Sequence, residues 1–253
     1  MKTVFGILIA TLIAGSALAQ VKGVLVTADG QKIDGTIRWK QASEAYEVVK
    51  SGGSVALEMT PDKVRDLIIP EPAALKGAIA QVKSGAGAAA IPALKKVVQG
   101  YTRLKWDEVA TRYLAEAHLA ARDAAEARKV CESVIAQKPE AAYCGEMAPT
   151  YWSALIASDR AAKAEELMSR AIKTGDRRSS AFALIRRGDL ILKEGGAEAH
   201  KKALIDGYLR VVALYRDVKD AQPEACEKAA GCFEKIGQTS RAESFRQQAR
   251  SVK

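Results

Sequence analysis

The chain contains two different patterns of hydrophobic positions. Between Val21 and about Pro70, short apolar runs rich in Val, Ile, Thr and Tyr are interrupted every few residues, a pattern typical of short strands. Beyond Pro72, apolar residues recur every three or four positions among Ala, Lys, Glu and Arg, which is typical of amphipathic helices. The sequence therefore predicts an α+β fold that is mainly α, with its strands confined to the N-terminal part.

The N-terminal pattern predicts five short strands. Asp29-Gly30, Asp34-Gly35 and Gly52-Gly53 interrupt the apolar runs and favour turns, and Thr60-Pro61-Asp62 favours a single helical turn before the last strand. About fifty residues in short strands are too few for a wide sandwich, so closure into a small five-stranded β-barrel is expected because it leaves no open edges. This order of elements resembles small barrels of the Src-homology or Sm-like type. The resemblance is architectural and implies no ligand.

Pro70-Glu71-Pro72 marks the predicted boundary between two domains. Two prolines disfavour continuation of the strand and suit the first turn of a helix. We therefore expect a β-barrel domain over residues 20–70 and a helical domain over residues 71–253. The helical domain begins with a helix over Ala73–Val82, a flexible connection over Ser84–Ala90 and a second helix over Ile91–Tyr101.

A helical hairpin is predicted from about Leu104 to Pro139. Small residues, Ala115 and Ala127, occupy the positions where two antiparallel helices must come close, and Pro139 ends the second helix. This arrangement resembles a tetratricopeptide repeat (TPR), although Thr111 stands where that family has a large residue. The positions that carry the resemblance are Leu114, Ala115, His118, Ala127 and Pro139.

Three imperfect copies follow, so the TPR resemblance covers residues 104–251. The second copy, 149–173, has Trp152 where a small residue is expected and an enlarged connection before it. The third, 180–216, has Gly188 as its small contact residue but a longer second helix, and the fourth runs over 223–251. Since one hairpin cannot bury its apolar side alone, the resemblance implies stacking into a right-handed solenoid with a concave surface.

The resemblance also implies a non-enzymatic scaffold or adaptor that binds a protein or peptide partner, and the signal peptide described below places that partner in the cell envelope. In that family the first helices of the repeats line the concave surface, and a merely solvated inner wall is the alternative for any one residue. The inward-facing positions of this chain are Arg112, Tyr113, Glu116, Thr150, Ser153, Asp189, Glu227 and Lys228.

Residues 1–19 predict a signal peptide. Lys2 precedes an apolar run, and Ala17 and Ala19 form an A-x-A cleavage pattern. The alternative, a membrane anchor, requires a longer apolar run, and the sequence has no second run of that kind. The mature chain, from Gln20, is therefore expected in the periplasm or outside the cell, without a transmembrane segment.

The charge of the chain favours acidic partners. Its 39 Lys and Arg exceed its 30 Asp and Glu, which gives a formal net charge of +9. Few aromatic residues interleave the cations and no nucleic-acid motif occurs, so nucleic acid is not an expected partner. An alternative function is binding of an anionic envelope polymer through the barrel and a basic patch, although such a run also fits a solvated surface. The patch comprises Arg170, Lys173, Arg177, Arg178, Arg186 and Arg187.

The 4 cysteines leave two interpretations open. An exported protein can form disulfides, and a short connection separates Cys131 from Cys144. Buried thiols between helices fit equally well. Cys226 and Cys232 point to different faces of one predicted helix and are not expected to pair with each other, and no spacing matches a zinc site.

Catalytic signatures are absent from the sequence. The 2 histidines, His118 and His200, lie in separate repeats, and neither a G-x-S-x-G motif nor a glycine-rich phosphate loop occurs. We therefore expect no enzymatic activity, no cofactor and no metal. A hydrolase is the third hypothesis, and it requires Ser, His and a carboxylate to meet in a deep pocket.

Overall fold

The computed structural model describes residues 20–251, so the predicted signal segment, residues 1–19, lies outside the described residues. Contacts between Cα atoms divide the chain into two compact units. The N-terminal unit comprises residues 20–70 together with 99–105, and the helical unit comprises 71–98 together with 106–251. Within the N-terminal unit, the guanidinium carbon of Arg103 lies 5.0 Å from the ring centroid of Trp39.

The N-terminal unit is built around one antiparallel sheet of five strands in the order β4-β3-β2-β1-β5. Buried residues alternate with less buried ones along the strand over residues 32–40, and Leu25, Ile37 and Val48 are each 0% exposed. A 3-10 turn over Pro61–Lys63 precedes the last strand, at the predicted position. The strands are β1 (Val21–Thr27), β2 (Lys32–Lys40), β3 (Ala45–Lys50), β4 (Ala56–Met59) and β5 (Val64–Ile68).

The predicted closure of these strands into a barrel is wrong. In the described chain β4 and β5 are the two edges of the sheet, and no backbone ladder joins them. β4 has only 4 residues. After the 3-10 turn, β5 pairs with β1, where Leu25 lies opposite Leu67. Pairing of edges is a non-local property that the alternation of residues along each strand does not determine.

Asp34-Gly35, expected to favour a turn, lies inside β2. Gly35 lies opposite Gly23 of β1 and Lys50 of β3. A Cβ atom at Gly35 would lie 2.1 Å from the carbonyl oxygen of Val49. Glycine at this position therefore serves the close approach of two strands, which is the other common role of glycine in a sheet.

The helical unit consists of antiparallel helices joined by short connections. Hairpins form between α3 and α4, between α5 and α6, and between α10 and α11. The helices are α1 (Ala73–Lys83), α2 (Gly87–Gly100), α3 (Trp106–Ala120), α4 (Ala124–Ile135), α5 (Ala148–Ala157), α6 (Ala161–Thr174), α7 (Arg177–Glu194), α8 (Ala199–Ala203), α9 (Leu209–Leu214), α10 (Gln222–Lys235) and α11 (Thr239–Ser251).

The connection before α2 is shorter than the sequence predicts. α2 begins at Gly87, although the Gly- and Ala-rich stretch through Ala90 suggests a flexible segment. Gly87 is buried, and a Cβ atom there would lie 2.9 Å from Cβ of Ala120. Packing against α3 thus fixes a stretch whose local sequence has little preference of its own.

In the first hairpin, the small residues lie where the two helices meet, as predicted. Ala115 and Ala127 are both 0% exposed, and Cys131 on α4 is equally buried. The carboxylate of Asp123 accepts a hydrogen bond from the backbone N–H of Glu126 and so caps the start of α4.

In the second hairpin, Trp152 and the enlarged connection compensate each other. Trp152 is 0% exposed although it stands at a position where a small residue was expected. Its indole Nε1 donates a hydrogen bond of 2.8 Å to the carbonyl oxygen of Ala142, in a 3-10 turn over Pro139–Ala142. The extra residues of the connection provide both the space and the acceptor that a buried indole requires.

The third hairpin departs from the pattern in its second half. Instead of one long helix, α8 continues through a π-helical turn, Leu204–Tyr208, into α9. Gly188 on α7 lies against this turn, since a Cβ atom at Gly188 would lie 2.5 Å from the ring of Tyr208. At Gly207, the nearest heavy atom to such a Cβ atom would be Cα of Gly188, at 2.9 Å. Two glycines therefore permit the closest approach between α7 and its partner.

Each hairpin packs against the next one. α3 contacts α5, α5 contacts α7, and α10 contacts α9 and the π-helical turn. One cluster of buried residues extends from Ala115 to Ala242. The hairpins therefore share a continuous core, as expected for stacked helical repeats.

Replacing Gly188 with Ala is expected to destabilise the protein. The added methyl group would overlap the buried Tyr208 ring, and overpacking of this kind costs about 1–3 kcal/mol. Urea unfolding measures the free energy of unfolding. Gly231→Ala in α10 is the matched control: no heavy atom lies within 4 Å of its added Cβ atom, so stability should stay equal or rise by up to ~1 kcal/mol. Equal effects at both glycines would contradict the close contact.

Candidate functional site

The predicted inward-facing residues of the first hairpin form a small polar network with the second. Nη1 of Arg112 donates to Oε1 of Glu116 over 2.8 Å, and the guanidinium carbon lies 4.2 Å from the ring centroid of Tyr113. Oγ1 of Thr150 donates to the same oxygen of Glu116 over 3.3 Å and so links α5 to α3. Tyr113 is buried at 8% exposure, and Arg112 and Glu116 are half-buried. The structure brings these four residues together.

The corresponding residues of the third and fourth hairpins form a second network. Oδ1 of Asp189 on α7 accepts a 2.8 Å hydrogen bond from the hydroxyl of Tyr208 and forms an ion pair, also at 2.8 Å, with Nζ of Lys228 on α10. Arg186 donates to Asp189 over 2.8 Å and to Glu224 on α10 over 2.5 Å. Burial and the nearby carboxylate of Asp189 raise the pKa of Tyr208, so its hydroxyl remains a donor at neutral pH. These contacts connect α7 with α10.

The remaining predicted positions lie apart from both networks. Oγ of Ser153 donates over 3.0 Å to the carbonyl oxygen of Pro149 in its own helix. Glu227 is exposed on α10.

A cleft of about 540 Å³ opens beside the first network. Its apolar lining includes Val109 on α3, Val134 on α4 and Met147 before α5. Lys138 and Glu108 form an ion pair between two of its walls. We call it the α3 cleft. Its lining residues are Glu108, Val109, Arg112, Val134, Lys138, Glu140, Ala141, Cys144, Gly145, Glu146 and Met147.

Of the residues that line the α3 cleft, the sequence predicted only Arg112 for partner binding, and it singled out Cys144 only as a possible disulfide partner. Most of the others come from the end of α4 and from the connection that follows it, 136–147. The sequence feature that pointed to these residues was the length of the connection, which exceeds the length of the loop in a regular repeat. The position of these extra residues depends on the hydrogen bond between Trp152 and the carbonyl of Ala142, and no local sequence pattern indicates that contact.

Most arginines of the predicted basic patch are paired with carboxylates of the same chain. Arg177 contacts Asp217, Arg178 contacts Asp220 and Glu146, Arg186 contacts Glu224, and Arg187 contacts Glu165. The guanidinium carbon of Arg170 lies 3.8 Å from the ring centroid of Tyr143, and Lys173 is exposed. A hydrogen bond from Arg177 lowers the pKa of Asp217 to about 2. The patch therefore presents less uncompensated charge than its sequence indicates.

All four cysteines lie in the described residues and are free thiols. The Cys131–Cys144 bridge that the spacing allowed is thus not formed, and the alternative of thiols packed between helices describes Cys131, Cys226 and Cys232. Burial raises the pKa of Cys131 to about 12. Cys144 is half-buried at the α3 cleft, where its sulfur accepts a hydrogen bond from Oγ of Ser179 over 3.6 Å.

The two histidines occupy separate structural positions. His118 is 5% exposed on α3, with Nδ1 3.5 Å from Oδ2 of Asp123. His200 lies on α8, half-buried. Across residues 20–251, no group of three or more His, Cys, Asp or Glu is arranged to hold a metal ion. The same stretch contains no helix that is both long and apolar enough to span a membrane.

Comparison with known proteins gives one kind of match. No protein-family model matches the chain, and no curated protein matches it. Among the solved structures that resemble it are TPR-like repeat chains. Two of them are crystal structures of nearly identical TPR-like repeats from a Podosopora anserina kinesin light chain, one being a single-residue variant. Each is 17% identical, covers 71% of this chain and 92% of its own length, and gives a TM-score of 0.43. At this similarity neither match informs function, and the fold is described from the helical hairpins of this chain alone.

Proposed function

We propose that this protein is a non-enzymatic exported scaffold that binds a protein or peptide partner. The partner would lie along the first helices of the stacked hairpins, α3, α5, α7 and α10, and would enter the α3 cleft. The single observation that supports this proposal most is the composition of that cleft. It combines apolar side chains at Val109, Val134 and Met147 with charged groups of both signs. Concave sites of that composition suit a polypeptide that offers an apolar anchor flanked by polar groups.

The polar networks on the first helices support the same proposal. Arg112 is held by Glu116 and by the ring of Tyr113, so its guanidinium is oriented before any partner arrives. An oriented side chain loses little conformational entropy on binding, which favours affinity. The N–H groups of such an arginine that Glu116 does not occupy are suited to carbonyl or carboxylate oxygens of a bound chain.

A crosslinking experiment tests the use of the α3 cleft. A photo-reactive amino acid at Val109 should yield a covalent adduct with a protein partner in intact cells, because this half-buried position lines the cleft. The same amino acid at Lys163, an exposed position on α6, is the matched control and should yield none. In addition, Val109→Asp should weaken partner recovery by about 30-fold, the effect of losing an anchor worth ~2 kcal/mol. Absence of adducts at Val109, or equal adducts at both positions, would contradict the proposal.

Export is a separate part of the proposal and rests on residues 1–19. The protein isolated from cells is expected to begin at Gln20, since Ala17 and Ala19 supply the small residues that cleavage requires. Mass spectrometry of the N-terminal peptide measures this directly, and Ala19→Arg should block processing. Recovery of the unprocessed chain from the cytosol would disprove export without affecting the proposal for the cleft.

A further inference from the structure

The helices α1 and α2, which are consecutive in the chain and separated only by residues 84–86, carry charge of only one sign, and we call them the α1–α2 hairpin. From Pro72 to Trp106 the sequence contains neither Asp nor Glu. Lys76 and Lys83 on α1 and Lys95 and Lys96 on α2 are all exposed. Within residues 20–251, none of these four lysines forms an ion pair with a carboxylate. Their charge is therefore available to a group outside the chain.

The lysines lie on the outward faces of the two helices. α1 buries Leu75 and Ala78, and α2 buries Ala90, Leu94 and Val97. Lys76 and Lys83 are seven residues apart, which places them two turns apart on one face of α1. In α2, Lys95 and Lys96 flank the face opposite the buried residues. In the sequence between Lys76 and Lys96, most of the other exposed residues are small, and only Gln81 and Pro92 are larger. The small ones are Gly77, Ala80, Ser84, Gly85, Ala86, Ala88 and Ala89.

This surface differs from the Arg170–Arg187 patch. There, carboxylates from neighbouring elements neutralise most of the arginines, as in the pair of Arg187 with Glu165. On α1 and α2 no carboxylate offsets the lysines, and Lys95 and Lys96 are adjacent in sequence, so like charges repel one another. An anionic partner removes that repulsion and gains attraction from each lysine.

The chemistry of the hairpin distinguishes between classes of anionic partner. None of the large hydrophobic residues that are exposed in the described chain, Val55, Ile68, Ile205 and Leu214, lies on it. A lipid bilayer would thus be held by charge alone, which gives weak attachment. The hairpin also has no arginine, the residue best suited to grip a phosphate group. Small residues between the lysines, in contrast, let a polypeptide backbone approach closely while its carboxylates meet the ammonium groups.

We propose that the α1–α2 hairpin is a docking surface for an acidic segment of a protein partner. The inference goes beyond the proposed function, because it concerns a different surface and does not depend on what occupies the α3 cleft. The partner supplies consecutive Asp or Glu side chains, and the association is driven by charge complementarity and weakens with salt.

Binding of fluorescent poly-L-glutamate at low salt tests this proposal, with the full chain and two variants of equal net charge. The first variant is Lys76→Gln, Lys83→Gln, Lys95→Gln and Lys96→Gln. The matched control is Lys63→Gln, Lys202→Gln, Lys219→Gln and Lys235→Gln, four exposed lysines distributed over the chain outside α1, α2 and the basic patch. We expect binding to weaken at least about tenfold in the first variant and no more than about twofold in the control.

Two further measurements complete the test. Replacement of the four hairpin lysines by Arg keeps the charge and should retain binding, which separates loss of charge from loss of folding. Vesicles of phosphatidylglycerol replace the peptide in a parallel assay and should bind more weakly than poly-L-glutamate. Equal losses in the two glutamine variants, no binding of poly-L-glutamate by the wild-type chain, or tighter binding to the vesicles that depends on the hairpin lysines would each overturn the proposal.

Discussion

Close contact between helices, through residues with little or no side chain, is the constraint on which the helical unit depends. A single hairpin leaves one side of its apolar surface open, so the next hairpin must approach closely enough to cover it. Ala115 and Ala127 provide this in the first hairpin, and Gly188 with Gly207 provides it in the third. Where a large residue, Trp152, occupies such a place, the connection before it grows and supplies a carbonyl for its indole. The π-helical turn, Leu204–Tyr208, adjusts the third hairpin in a comparable way, because it brings Gly207 against α7.

Charged side chains also join neighbouring hairpins. Arg186 connects α7 to α10, and Arg187 connects α7 to α6. Exposed ion pairs contribute little each, about 0–1 kcal/mol, but the half-buried ones also satisfy polar groups that the stacking removes from water. Two surfaces differ from these ion-paired regions. The α3 cleft has an apolar lining, and the α1–α2 hairpin has lysines that no carboxylate opposes.

Local patterns in the sequence predict much of this fold, and the failures share a physical cause. Spacing of apolar residues, proline positions and small contact residues located the helical hairpins and the five strands. The start of α2 at Gly87 and the open sheet depend on contacts that are distant in sequence, so local propensity could not indicate them. The pairing of the basic patch was missed for the same reason, since Arg177 meets Asp217 forty residues further along. At the candidate site, Arg112 was predicted from the repeat pattern, whereas Val134 and Met147 reach the cleft only because of how the enlarged connection folds.

If neighbouring hairpins hold one another in place, a double-mutant cycle across α7 and α10 should show it. Arg186→Gln and Glu224→Gln, alone and combined, give the coupling free energy between the two side chains from urea unfolding. Nη1 of Arg186 and Oε1 of Glu224 are half-buried and lie 2.5 Å apart, so we expect a coupling free energy of about 1–3 kcal/mol. Additive effects, with a coupling below about 0.3 kcal/mol, would contradict the account.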